Sequence, residues 1–235
     1  MDRQNKCLDL TIEGLTSEGE SFVSINKKNV VVPGFLPGDK IEAEYNEETK
    51  NIDNAELVES SPDRIKSDCF YHGVCGGCDL LELSEKARKK EKQAMIKRAL
   101  ARIPNNEDVK LENFKGSKEI MRYMPRVRIH QSQNYNERIS GFLASVDSDE
   151  KLSGNIVPVT SCALLMQSLN KRLVATRKIL DTVPIILESL TLMSSSSKNS
   201  DKVVGHAVLQ KGKTAHFCIK DLNKIMRGAN LKGLT

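Results

Sequence analysis

The sequence predicts a mixed fold in two parts: a small closed β-barrel of the OB type over residues 1–60, then an α/β or α+β unit over residues 61–235. Short alternating strands with close turn signals fill the first part, as in small barrels. Strand and helix patterns mix in the second. The charge also changes sign between them, from a net −7 over residues 1–60 to a net +12 over the rest. A basic second part favours a polyanionic partner.

The first part shows four strand patterns. They are CLDLTIEG, NVVVPGF, KIEAEY and NIDNAELVES. In the first of them, Leu8, Leu10 and Ile12 recur with the period of two that marks one face of a strand. Pro33-Gly34 and Pro37-Gly38 are turn signals that separate the strands. The stretch ESSPDR (59–64) is predicted to be a linker.

The second part is predicted to contain one strongly basic helix over residues 84–102. Ser84 is a suitable N-cap, and Pro104 stops the pattern just beyond its end. Further helices are predicted near 163–181 and 219–228. The predicted strands are RVRIHQSQ, RISGFLAS, KVVGHAVLQ and KTAHFCIK.

Composition excludes several classes. Residues 2–12 lack the apolar core of a signal peptide, and no apolar run approaches the ~20 residues that a membrane helix needs. We therefore expect a monomeric cytoplasmic protein with no membrane partner. In a reducing compartment, six cysteines indicate metal or catalytic sites rather than disulfides.

Three of the six cysteines are crowded into the stretch CFYHGVCGGC (69–78). Five residues separate Cys69 from Cys75, and two separate Cys75 from Cys78. Tetrahedral thiolate sites take four ligands, for zinc or for an iron–sulfur cluster. Cys162 is the best fourth ligand, because it follows a short strand and precedes a helical segment. Cys7 begins the predicted barrel and Cys218 fits a buried strand position, while a redox dithiol of the C-x2-C type remains an alternative.

The combined pattern resembles a known family. C-x5-CGGC followed by a basic helix, with VVVPGFLPGDKIEAEY before it and RYMPRVRIH, ISGFLAS and IVPVTSCALL after it, is similar to the RNA uracil-C5 methyltransferases that carry a 4Fe–4S cluster. These are S-adenosylmethionine-dependent enzymes of ribosomal and transfer RNA. The resemblance implies a TRAM-type barrel over 1–60 and an iron–sulfur RNA-recognition domain over 61–235. It assigns the cluster to Cys69, Cys75, Cys78 and Cys162.

The sequence also departs from the family. Leu81 replaces a usual Gln, Ala163 replaces a Pro, and the YRxR motif is reduced to Tyr123-Met124-Pro125-Arg126. No two glycines have the G-x-G spacing of a cofactor loop, and no cysteine has the context of the family's nucleophile. We therefore expect no catalytic residue and no S-adenosylmethionine site here. The Rossmann-like methyltransferase domain is expected to be absent, with the cofactor bound only in a full-length protein.

The basic residues are candidates for RNA contact. The set is Lys86, Arg88, Lys89, Lys90, Lys97, Arg126 and Arg128, with Lys92, Arg98 and Arg102 also on the basic helix. A solvated helix face is the alternative for the helical members. Tyr71, Tyr123 and Tyr135 fit either base stacking or packing.

Two functions remain open. One is the substrate-recognition half of an S-adenosylmethionine-dependent RNA (uracil-C5) methyltransferase, and the other is a stand-alone iron–sulfur RNA-binding or redox-sensing module. The first treats the chain as part of a longer enzyme, and the second treats it as complete.

Overall fold

The computed structural model describes residues 5–105, 109–112, 114–117, 120–134, 137–145, 155–195, 201–209 and 219–235. The chain forms two compact units. The first unit combines Met1–Ser67 with Leu80–Gly116, and the second combines Asp68–Asp79 with Ser117–Thr235. The division differs from the predicted boundary after residue 60, because the basic helix belongs to the first unit while the cysteine loop belongs to the second. The change in net charge near residue 60 marks a change in composition, whereas the boundary between the units is set by tertiary contacts.

The first unit contains two three-stranded antiparallel sheets. One has the order β1-β5-β6 and the other the order β2-β3-β4. Their bounds are β1 Asn5–Thr11, β2 Gly14–Leu15, β3 Ser21–Ile25, β4 Lys28–Val31, β5 Lys40–Asn46 and β6 Asn51–Glu59. Both sheets contribute to one buried apolar cluster, formed by Ile12, Val23, Val30, Val32, Ile41, Ala43 and Tyr45. The predicted single closed barrel is thus replaced by two sheets around a shared core, since alternation identifies an inward face but not a pairing partner.

A buried carboxylate fixes the segment that was predicted to be a linker. Asp39 has no solvent exposure and accepts hydrogen bonds from the backbone N–H groups of Leu36 (2.7 Å) and Ser61 (2.8 Å). The guanidinium of Arg64 binds the same carboxylate through Nε (3.1 Å) and Nη2 (2.8 Å), and also pairs with Glu82. Residues 61–64 are therefore a packed part of the first unit.

Helix α1 (Glu85–Leu100) confirms the predicted basic helix. The side chain of Ser84 caps it by accepting a hydrogen bond from the N–H of Ala87 (3.2 Å). At the other end, Arg98 donates to the carbonyl of Leu15 (2.5 Å) and lies 5.1 Å from the centroid of the Phe22 ring. These contacts hold the helix against β2 and β3 of its own unit.

The second unit is built on a five-stranded antiparallel sheet of order β11-β10-β7-β8-β9. The strands are β7 Arg126–Asn134, β8 Glu137–Leu143, β9 Ile156–Val157, β10 Leu187–Ser194 and β11 Val203–Leu209, and the helices are α2 Gln167–Thr182 and α3 Ile219–Gly228. Apolar residues of α2 and α3 pack with those of the sheet into a single core, which includes Ile129, Leu169, Leu173, Leu190 and Leu192. The mixture of sheet and helices follows the predicted pattern for this part of the chain.

Two strand predictions were incomplete. Strand β10 was missed, because its residues are buried at most positions and lack clean alternation. The predicted strand KTAHFCIK lies outside the described residues except for its last two, Ile219 and Lys220, which begin α3. Within the part of the chain that the structure describes, no helix has the length and apolarity to cross a membrane.

A four-cysteine candidate metal centre

The cysteine loop is attached to the end of strand β8. The N–H of Gly76 donates to the carbonyl of Leu143 (3.0 Å), and the N–H of Ser145 donates to the carbonyl of Val74 (2.7 Å). Cys75 forms an isolated antiparallel bridge with Ala144 between these bonds. The loop thus continues the sheet by one short pairing, and Cys75 and Val74 pack against the core of the second unit.

Gly76 is required by this attachment. A Cβ atom at residue 76 would lie 2.8 Å from the carbonyl oxygen of Ala144 and 3.2 Å from its carbonyl carbon, which are backbone atoms that cannot rotate away. At Gly77 an added Cβ would meet the Cys75 sulfur at 3.5 Å, an ordinary contact. The two adjacent glycines therefore differ in their tolerance of a side chain.

Cys162 lies in the turn between β9 and α2, and Asn170 of α2 holds that turn. The Asn170 carbonyl oxygen accepts from the N–H of Cys162 (2.9 Å), while its amide donates to the carbonyl of Cys162 (2.7 Å). The cysteine loop is tied to the same turn, because the Tyr71 hydroxyl lies 2.8 Å from Oγ1 of Thr160 and accepts from the N–H of Thr160 (3.1 Å). Two segments far apart in sequence are thereby fixed side by side.

The four thiols influence each other electrostatically. Burial raises the pKa of Cys78, and negative charge on Cys162, Cys75 and Cys69 acts in the same direction; together they bring this pKa to about 12. Burial also raises the pKa of Cys75, opposed by a hydrogen bond from the backbone of Gly77. The four cysteines that the family resemblance assigned therefore lie within electrostatic range of one another. A metal cation among them would reverse this effect and favour the thiolates.

None of these four cysteines forms a disulfide, and each is partly buried. Among the described residues, no group of three or more His, Cys, Asp or Glu side chains is arranged to hold a metal ion. This absence is compatible with the electrostatic influence among the four thiols, because charge acts over longer distances than a zinc–sulfur bond of about 2.3 Å. Four cysteines match, in number and kind, the protein ligands of a 4Fe–4S cluster.

The predicted RNA-contacting residues of α1 are mostly exposed. Lys86, Lys90 and Lys97 face solvent. Lys89 pairs with Glu85 on the same helix (2.6 Å), and Arg88 is half-buried. Two further bases have partners in the first unit: Arg98 of the helix at Leu15, and Arg102, just beyond the end of the helix, at Glu18. The exposed lysines remain available to an external anion.

Arg126 and Arg128 lie in the second unit, on the solvent side of β7. They alternate with Val127 and Ile129, which face the core. In the sheet register, Thr191 lies across from Arg128. Two basic groups thus lie two residues apart on the exposed face of β7. Of the tyrosines considered for stacking, Tyr71 is hydrogen-bonded at Thr160, Tyr123 is half exposed, and Tyr135 lies outside the described residues.

Sequence reasoning missed Asn170 and Thr160, which position the Cys162 turn and the cysteine loop. A single Asn eight residues after Cys162 carries no motif. Its role depends on the first turn of α2 lying beside the turn that precedes it, which is tertiary information.

Comparison with known proteins finds sequence relatives of this chain. No protein-family model matches the chain. The 23S rRNA (uracil(1939)-C(5))-methyltransferase RlmD of Shewanella sp. (strain W3-18-1) is 26% identical over 233 residues, covering 97% of this chain and 47% of the relative. The RlmD of Marinomonas posidonica is 30% identical over 178 residues, covering 74% and 38%. The chain thus spans about half the length, or less, of these curated relatives.

A solved structure shares the fold. It is the Pyrococcus abyssi tRNA (uracil-54, C5)-methyltransferase in complex with S-adenosyl-L-homocysteine, with a TM-score of 0.56 and 19% identity over 92% of this chain and 48% of that one. The sequence relatives define the class as RNA-modifying methyltransferases. The chain belongs to the RNA uracil-C5 methyltransferase family.

This likeness corrects the predicted fold class. The prediction described an OB-like barrel and an iron–sulfur domain from which a Rossmann-like methyltransferase domain is absent. Instead, 92% of the chain matches part of the fold of a methyltransferase. The expected absence of that domain rested on the lack of a G-x-G glycine spacing in this chain. That lack describes only the residues present and is not a basis for the fold class.

Proposed function

We propose that this chain is the RNA-holding, iron–sulfur part of an S-adenosylmethionine-dependent RNA (uracil-C5) methyltransferase that acts on rRNA or tRNA. The observation that carries the proposal is the pair of hydrogen bonds between Tyr71 and Thr160, which holds the cysteine loop beside the turn that carries Cys162. The names of the relatives support the reaction class.

The four cysteines would bind a 4Fe–4S cluster. When bound, the cluster supplies a covalent cross-link between the loop after residue 68 and the turn before α2. Asn170 and Tyr71 already hold these two segments in place. These contacts support a site in which metal binding and folding would be coupled.

The exposed bases would hold RNA while a target uracil is taken out of its stack. Lys86, Lys90 and Lys97 offer contacts on helix α1 of the first unit. Arg126 and Arg128 offer contacts on the second. Such contacts act mainly on phosphates, so they position the RNA without reading its sequence.

Metal analysis tests the cluster. Purified without oxygen, the protein should be brown, with broad absorbance near ~400 nm and about four iron atoms per chain. One zinc ion per chain with no visible absorbance would reject the cluster.

Charge reversal tests the RNA contacts. The double variant Lys89→Glu and Lys90→Glu should weaken binding to unrelated RNAs about equally, and should lower the salt dependence by roughly 0.7 logarithmic unit for each lost contact with a single strand. The matched control reverses Lys220 and Lys224, two exposed lysines of α3. Equal effects of both double variants would show that α1 is an ordinary solvated face.

A further inference from the structure

Phe70 is the most exposed large apolar side chain in the described part of the molecule. It is 92% exposed, whereas the next, Val58, is 65% exposed. It directly follows Cys69 in the loop that carries three of the four thiols. Neither the packing of the second unit nor the cysteine site uses its ring.

The ring is nevertheless held in place. Phe70 contacts Tyr71 edge to face, with ring centroids 5.2 Å apart and an interplanar angle of 86°. Tyr71 is itself fixed through its hydroxyl at Thr160. An aromatic side chain that is both exposed and supported loses little conformational entropy when a partner covers it.

Basic and aromatic groups flank the same turn. The backbone N–H of Arg122 donates to the carbonyl of Ala163 (2.9 Å). The exposed Arg122 is therefore attached to the residue that follows Cys162, whereas Tyr71 is attached to Thr160, which precedes it. Tyr123, next in the chain, is 49% exposed. Exposed aromatic and cationic side chains in one unit complement a single-stranded nucleic acid, whose bases stack while its phosphates bind cations.

We propose that Phe70 is a base-stacking contact for an unpaired nucleotide of the RNA. This inference rests on the proposed RNA-binding function, and it adds an aromatic contact with a base to the proposed contacts of Lys and Arg with phosphates. Stacking is indifferent to base identity, so Phe70 would contribute affinity for single-stranded RNA and little for a fully paired duplex.

Fluorescence gives the direct test, because the chain contains no Trp. Phe70→Trp provides a single indole, which should be quenched when a U-rich single-stranded RNA of about 12 nucleotides is added. Val58→Trp, at a 65% exposed position of β6 in the first unit, is the control and should remain unquenched. Absence of quenching at position 70 under saturating RNA would overturn the proposal.

Affinity separates stacking from simple apolar contact. Phe70→Leu should weaken single-strand binding by about 5- to 150-fold, the effect of losing one stacked base, while Phe70→Tyr should keep it. Neither variant should change the salt dependence, because no charge is removed. If the wild-type chain binds RNA but Phe70→Leu binds equally well, only the stacking role is rejected. If the wild-type chain binds no RNA, the proposed RNA function fails with it.

Discussion

Substituting the two glycines of the CGGC motif one at a time separates two positions that look equivalent in sequence. Gly76→Ala would place a Cβ 2.8 Å from the carbonyl oxygen of Ala144, whereas Gly77→Ala would place one 3.5 Å from the Cys75 sulfur. Neither glycine has a left-handed backbone, so only the available space distinguishes them. We expect Gly76→Ala to detach the cysteine loop from β8 and Gly77→Ala to be tolerated.

The magnitude follows from the contacts that Gly76→Ala disrupts. The backbone must move, and the two hydrogen bonds at Leu143 and Val74 are then lost. At about 0.5–1.5 kcal/mol each, their loss lowers the free energy of unfolding by about 1–3 kcal/mol. For a chain of this size, that corresponds to a decrease in the unfolding midpoint of about 2–12 °C. Gly77→Ala should stay within about 0.5 kcal/mol of wild type.

Thermal unfolding and iron content should be measured on both variants purified without oxygen. Gly76→Ala is expected to lower both, because the loop positions three proposed ligands. Equal losses in the two variants, or a stable Gly76→Ala with full iron, would refute the described packing of the loop on β8.

Two further predictions concern the packing of each unit. Asp39→Ala should lower the free energy of unfolding, measured in urea, by about 3–5 kcal/mol, because it leaves the half-buried Arg64 without its buried partner. Asp53→Ala, at an exposed position, is the control. A decrease of less than about 1 kcal/mol for Asp39→Ala would reject the role of Asp39. In the second unit, a hydrogen bond from Arg172 lowers the pKa of Asp201 below its ordinary 3.8, so the pair stabilises the fold above that pH and loses its effect as pH falls through the lowered pKa. Acid titration of the unfolding midpoint should show this loss in wild type and not in Asp201→Asn; identical acid limbs would contradict it.

Local patterns predicted helix α1 well, because its signals lie close together. Ser84 caps the helix as its sequence position predicts, and Pro104 follows shortly after its end. The strand predicted at RVRIHQSQ is likewise present as β7. These features depend on residues near each other in the chain.

Pairing between distant segments could not be predicted in the same way. The polar 59–64 stretch looks like a linker until the buried carboxylate of Asp39 is known to bind Ser61 and Arg64. Likewise, spacing identified three thiols, while Cys162 was chosen from its predicted place between a strand and a helix and from the family resemblance. Its position depends on Asn170, whose role only the folded turn reveals.

The iron content of Cys162→Ser, compared with that of Cys7→Ser, tests the central claim most directly. Cys162 lies 84 residues after Cys78, so its cluster bond closes a long loop and should stabilise the chain by about 4 kcal/mol by analogy with a disulfide. Cys7 is an exposed thiol on β1 of the other unit. We predict that Cys162→Ser loses most of its iron, its colour and part of its stability, while Cys7→Ser keeps about four iron atoms per chain. Full iron in Cys162→Ser, or loss of iron in Cys7→Ser, would contradict the proposed centre.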